Sequence, residues 1–85
     1  MKWSLKVPKE EVKKIRVSYF AGIHYLIVYD NREIDIDFYE EAGYAIVEVY
    51  NPVTGSLIDN YRFDKVRNVS IDYDIDGLEI TIDYN

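Results

Sequence analysis

Between Val69 and Tyr84 the chain alternates so regularly that it admits one local conformation. Val69, Ile71, Tyr73 and Ile75 alternate with Ser70, Asp72, Asp74 and Asp76; Leu78, Ile80, Ile82 and Tyr84 then alternate with Glu79, Thr81 and Asp83. A period of two places successive side chains on opposite faces of a strand, so both arms read as β. Between them lies Asp76-Gly77, a dipeptide that tolerates the positive φ angles of a type I′ hairpin turn. With those two residues as the loop, Ile75 faces Leu78, Tyr73 faces Ile80, Ile71 faces Ile82 and Val69 faces Tyr84. The predicted hairpin is apolar on one face and acidic on the other, and a one-residue slip would mix the two.

The same letters carry a second reading. Asp72 to Asp83 runs D-x-D-x-D-G-x5-D, which resembles the calcium loop of the EF-hand family. That resemblance implies Asp72, Asp74, Asp76 and Asp83 as side-chain ligands of Ca²⁺, with Gly77 at the sharp turn and Leu78 offering its carbonyl. Asp83 stands in place of the longer bidentate Glu, and Glu79 occupies a position that the family fills with an apolar residue. A solvated acidic strand face accounts for the spacing equally well and is the preferred reading, with no cofactor expected.

The rest of the chain repeats the alternation in short segments. Trp3, Leu5 and Val7 alternate with Lys2, Ser4 and Lys6 until Pro8 ends the strand. Pro8 also suits the first turn of a helix, with Glu10 and Glu11 near its start, Lys13 and Lys14 near its end, and Val12 and Ile15 as its apolar stripe. One short N-terminal helix is therefore expected. A strand from Ile15 to Ala21 follows, interrupted at Gly22. Ile23 to Tyr29 and Tyr44 to Tyr50 are largely apolar in both alternating sets, the pattern of interior strands covered on two faces. Between them Ile34, Ile36 and Phe38 alternate with Asp35, Asp37 and Tyr39, after a turn at Asp30-Asn31-Arg32. Glu40 to Gly43 and Asn51 to Gly55 supply further turns. In the strand from Leu57 to Phe63, Asp59 falls on the inward side, which points to a bulge or an edge. The fold class expected is mostly β, a small antiparallel meander forming a barrel or sandwich, with residues 1–85 as a single domain.

Composition limits the chemistry. The chain has no Cys, one His and nine Tyr, and its net charge is −6. Without Cys there are no disulfides or thiol catalysis, and no segment has the form of a signal peptide or membrane span. A soluble cytoplasmic protein is expected. The absence of Gln, the single Met and the 31% of charged residues lean towards a thermophile. Residues 1–20 hold six basic residues against Glu10 and Glu11, a balance of +4, whereas residues 21–85 hold four against fourteen acids, a balance of −10. Nucleic acid is bound through positive potential, so direct nucleic-acid binding by the acidic part is not expected. An acidic surface suits a basic partner.

His24 stands in a strand among apolar residues, with no second His or Cys to complete a transition-metal site or a nucleophilic triad. The carboxylates that could pair as acid and base fall on solvent-facing positions, and a core this small leaves little room for a dry pocket. The sequence therefore reads as non-enzymatic. Asn68-Val69-Ser70 fits a glycosylation sequon that has meaning only after secretion. Tyr-rich, unpaired edge strands offer places for homo-oligomer formation or for a partner strand.

From Phe38 onward the chain resembles a family of short prokaryotic β-rich proteins of unknown function. That family opens Y-D-x-E-A-D-x-L-Y-I and closes on a D-Y-D-x-x-G hairpin followed by I-E-I. The matching text here is Phe38-Tyr39-Glu40-Glu41-Ala42-Gly43-Tyr44-Ala45-Ile46-Val47, then Ile71-Asp72-Tyr73-Asp74-Ile75-Asp76-Gly77-Leu78-Glu79-Ile80. The resemblance implies a small β-sheet protein and transfers no catalytic residue. Taken together, the residues point to a small acidic binding protein that engages or inhibits a basic, nucleic-acid-binding protein. The expected surface is an acidic sheet face of Asp35, Asp37, Asp72, Asp74 and Glu79. A Ca²⁺ module and a structural subunit acting through homo-oligomerisation are the alternatives.

Overall fold

Residues 1–85 are described by a computed structural model in which the alternating segments become eight strands. In chain order these are β1 (Lys2–Val7), β2 (Val12–Tyr19), β3 (Ile23–Tyr29), β4 (Arg32–Tyr39), β5 (Tyr44–Tyr50), β6 (Leu57–Asp64), β7 (Val66–Asp74) and β8 (Gly77–Tyr84). They form two antiparallel sheets, a three-stranded one in the order β1-β8-β7 and a five-stranded meander β2-β3-β4-β5-β6. Only the five-stranded sheet is a meander. The last strand returns to pair with the first, so the termini close on each other: the Met1 ammonium donates to the Tyr84 carbonyl at 2.7 Å and Tyr84 N–H donates to the Met1 carbonyl at 2.9 Å.

The two sheets face each other across one apolar core and do not close into a barrel. Ile34, Ile36 and Phe38 from β4, Ala45 and Val47 from β5, and Ile27 from β3 meet Leu78, Ile80 and Ile82 from β8, with Val7, Val66 and Val69 completing the cluster. Removing one such Ile from water contributes ~2 kcal/mol, which makes this cluster the main stabilising term. Strand β7 starts beside the β4–β5 turn, where Val66 N–H donates to the Gly43 carbonyl at 2.8 Å. It ends beside β2, where Ile71 and Tyr73 share a groove with Val17 and Tyr19. The smaller sheet thus lies across the larger one, the arrangement of a sandwich whose strands cross.

Four expectations change. The N-terminal helix is a single 3₁₀ turn, Lys9–Glu11, and Val12 and Ile15 belong to β2. Their spacing of three, which mimics a helix stripe, comes from a bulge. Val12 pairs with Tyr29 and Ile15 with Ile27, and the register shift between Val12 and Lys14 puts both apolar residues on the inner face. The final hairpin keeps its faces but not its register: Asp74 pairs with Gly77, Tyr73 with Leu78, Ile71 with Ile80 and Val69 with Ile82. Its loop is Ile75-Asp76, neither with positive φ, and the positive φ of +127° falls on Gly77. A Cβ on Gly77 would run into the Val7 carbonyl oxygen and lie 3.1 Å from Lys9 N, so the crossing of the Val7-Pro8 backbone, not a type I′ turn, demands glycine here.

The fourth change concerns β3 and β5, which are interior strands of the sheet but are covered on one face only. Ile27, Ala45 and Val47 are buried, while His24, Leu26, Val28, Ile46 and Tyr50 are half-buried on the outer face. Asp59 lies on the edge strand β6 next to a bulge at Ile58, since Val49 pairs with Asp59 and Tyr50 with Leu57. There its carboxylate accepts the Tyr61 hydroxyl at 2.6 Å. No helix is long and apolar enough to cross a membrane.

Candidate binding face

The register of the five-stranded sheet fixes which side chains share its outer face. Across the strands, Ser18, His24, Asp37, Ile46 and Arg62 form one row. Arg16, Leu26, Asp35, Glu48 and Asn60 form the next, and Val28, Glu33 and Tyr50 a third. Four carboxylates, Glu33, Asp35, Asp37 and Glu48, therefore gather at the centre of the face, framed by Tyr39, Tyr44 and Tyr50. The Tyr39 and Tyr44 rings lie 4.9 Å apart, and the Arg62 guanidinium sits 4.3 Å above the Tyr44 ring.

His24 neutralises one of the four. Its Nδ1 is 2.6 Å from Asp37 Oδ1 and its Nε2 2.7 Å from the Phe20 carbonyl oxygen. Both partners only accept, so the ring satisfies both bonds as a donor at each nitrogen, the imidazolium form. Hydrogen bonding to Asp37 first, and to the Phe20 carbonyl second, raises the His24 pKa above 6.5 against the opposing effect of burial.

Asp35 is in the opposite situation. Its Oδ1 is fully covered and has no donor beside it. Burial first, then the charge of Glu33 and a hydrogen bond to that carboxylate, push Asp35 from 3.8 up to about 6, and Asp37 and Glu48 add to the effect. Two ionised carboxylates have no proton to share, so Asp35 and Glu33 hydrogen-bond only when one of the two is protonated. The protein's ion pairs are Lys6 with Glu79, His24 with Asp37 and Arg62 with Asp64. Glu33, Asp35 and Glu48 belong to none of them. The centre of this face therefore carries three carboxylates that form no ion pair within the chain.

Of the five residues expected to form one acidic face, the structure brings together two on one sheet and three on the other. Asp35 and Asp37 lie on the outer face of the five-stranded sheet. Asp72 and Glu79 form a cross-strand pair on the outer face of the smaller sheet, with Asp74 two residues further on. The outer faces of a two-layer sandwich point away from each other, so these are two separate patches. On the second, Lys6 lies 3.7 Å from Glu79 and dilutes the charge.

The hairpin also pulls the calcium-type ligand set apart. Asp83 pairs with Asn68 and Glu79 with Asp72, which leaves Asp83 four residues along β8 from the level of Asp72, about 13 Å away, and further still from Asp74 and Asp76. Asp74 Oδ1 instead accepts the Asp76 N–H at 2.8 Å, capping the turn. No group of three or more His, Cys, Asp or Glu side chains is arranged to hold a metal ion. Comparison with protein-family models, curated proteins and solved structures finds no match to this chain.

Glu33 and Glu48 are members of this face that the sequence reading missed, and so is the pairing of Asp37 with His24. A signal for Glu33 and for the His24–Asp37 pairing exists in the β3–β4 hairpin. Once Asp30-Asn31 alone is taken as the loop, Tyr29 faces Arg32, and the count along both strands sets Val28 against Glu33, Leu26 against Asp35 and His24 against Asp37.

Proposed function

We propose that this chain is a non-enzymatic binding protein that takes a basic segment of a protein partner on the outer face of its five-stranded sheet, through Glu33, Asp35, Asp37 and Glu48. The observation that carries this reading is Asp35, a carboxylate raised to about 6 by burial first and by its acidic neighbours second, which forms no ion pair within its own chain. A Lys or Arg of a partner placed there gains attraction to several carboxylates and relieves their mutual repulsion, so binding at this spot is favoured twice. The surrounding Tyr39, Tyr44 and Tyr50 offer rings against which a cationic side chain or its methylene stem can lie. A partner that itself binds nucleic acid presents such a basic surface, and occupying it would block the nucleic acid. The acidic hairpin patch of Asp72, Asp74 and Glu79 is a weaker candidate for the same role, because Lys6 already shares it.

The reading is tested with a lysine- and arginine-rich probe peptide, measured by calorimetry at low and high salt. The expected result is salt-sensitive binding that weakens at least about tenfold in the Asp35→Asn/Glu48→Gln variant and is unchanged in Asp72→Asn/Glu79→Gln. Equal loss in both variants, or none in the first, would overturn the assignment to this face.

A further inference from the structure

The sandwich is finished differently where β1 meets β6 and where β7 meets β2. At the first, β1 and β6 are sealed by aromatic side chains: Trp3 packs on Tyr61 and Phe63 with ring centroids 6.2 and 5.9 Å apart, and Phe63 packs on Tyr84 at 5.0 Å. At the second, β2 and β7 are the free edges of the two sheets, and between them the core opens into a groove of about 580 Å³. Ile15, Val17, Tyr19, Tyr25, Ile71 and Tyr73 line it. Tyr19 is 75% exposed, Tyr73 49% and Val17 41%, although all three point to the side that elsewhere is core. Inward-facing residues left this open signal a surface that another surface covers.

The charges on the two lips decide what covers it. Strand β2 carries Lys13, Lys14 and Arg16, all exposed, while β7 and its turn carry Asp72, Asp74 and Asp76, also exposed. None of these six takes part in an ion pair within the chain. Lys13 and Lys14 line the groove from β2, and Asp72, Asp74 and Asp76 flank it on the outer side of β7 and its turn. A two-fold axis through the groove therefore sets β2 of one copy against β7 of the other, and the same contact recurs on the far side of the axis. Pairing β2 with β2 or β7 with β7 would oppose like charges, so only the mixed arrangement matches charge with charge while joining the two apolar grooves.

We infer that a second copy of this chain covers the groove, forming a two-fold dimer in which β2 of each protomer lies along β7 of its partner. The contact uses the β2 margin of the five-stranded sheet and leaves Glu33, Asp35, Asp37 and Glu48, on its inner strands β4 and β5, uncovered, so it is independent of the binding reading above. The bulge at Lys13, with Lys14 and Arg16 after it, keeps β2 from pairing with copies of itself and leaves the regular stretch Ile15 to Tyr19 available.

Sedimentation equilibrium at low salt, from about 10 to 500 µM, is the test. The expected mass is twice the 10.1 kDa of one chain at the upper end, falling towards one chain as salt rises. Lys14→Glu and Asp72→Lys each reverse one exposed charge and are expected to weaken the dimer at least about tenfold. Mixing the two variants sets the introduced acid on β2 of one against the introduced base on β7 of the other at one seam. The second seam keeps the native Asp72 opposite the native Lys14, so the mixture is expected to restore a dimer that neither variant forms alone. A wild-type chain that stays monomeric throughout would overturn the inference, as would a dimer indifferent to both reversals or a mixture that stays monomeric.

Discussion

His24 and Asp37 face each other across β3 and β4, with 2.6 Å between Nδ1 and Oδ1, while the other ring nitrogen is held by the Phe20 carbonyl. The pair ties the charge state of the only histidine to the folded geometry. The folded pKa is raised above 6.5, so the imidazolium stabilises the fold, and that contribution is fully present below about pH 6.5 and is lost as pH rises through the folded value. A single-histidine NMR titration is expected to give a midpoint above 6.5 that moves back towards 6.5 in Asp37→Asn. An Asp37→Asn midpoint equal to the wild type would show that the carboxylate does not govern the ring.

Asp35 runs the other way. Its folded pKa of about 6 exceeds the ordinary 3.8, so the folded state holds an extra proton between those values. Stability therefore falls as pH rises from about 4 through 6, and at neutral pH the ionised Asp35 is a net liability. Asp35→Asn is expected to stabilise the protein at pH 7.5 by on the order of 1 kcal/mol, because solvent screens much of the repulsion at this half-buried carboxylate, with the gain vanishing near pH 4. Urea titrations of both proteins at the two pH values check the sign. On the proposed binding role the same residue makes affinity for a basic peptide fall as pH drops through about 6.

The fold was largely readable because each strand announces itself through a two-residue period. Ile23–Tyr29 and Tyr44–Tyr50 have the bounds that alternation gives them. What alternation lacks is an address. Nothing in Trp3, Leu5 and Val7 says that β1 pairs with β8 rather than with β2, because antiparallel partners far apart in sequence leave no local mark. Bulges hide in the same way: the extra residue at Lys13 turned a strand into an apparent helix stripe. The site suffered from both gaps. Asp35 and Asp37 were legible as outward acids, but their company depended on the register with β3 and β5, and their separation from Asp72 and Glu79 depended on the division into two sheets.

Gly77 is where the hairpin passes beneath the end of β1. Any Cβ there meets the Val7 carbonyl oxygen, and the φ of +127° is unfavourable for an L side chain even without that contact. Gly77→Ala is expected to destabilise the protein by about 3 kcal/mol or more. Gly55 also has positive φ, +75°, but nothing lies within 4 Å of its Cβ position, so Gly55→Ala is expected to lose only about 1 kcal/mol. Similar losses for the two variants in thermal melts would contradict the crossing of Val7 and Pro8 over Gly77.

The register of the same hairpin separates two residues that the alternation alone treats as equals. With Ile75-Asp76 as the loop, Ile75 stands at the tip and is 81% exposed, whereas Ile80 pairs with Leu5 on one side and Ile71 on the other and is 0% exposed. With Asp76-Gly77 as the loop, Ile75 would instead pair with Leu78 on the core face. Ile75→Ala is therefore expected to change stability by less than about 0.5 kcal/mol, and Ile80→Ala to cost about 2 to 4 kcal/mol through lost burial and the cavity left between the sheets. Denaturant unfolding of the two variants decides between the registers. A loss above about 1 kcal/mol in Ile75→Ala would place that side chain in the core and move the turn to Asp76-Gly77. With it would move every cross-strand pair on β7, including the pairing of Asp72 with Glu79 that sets the acidic patch on the smaller sheet.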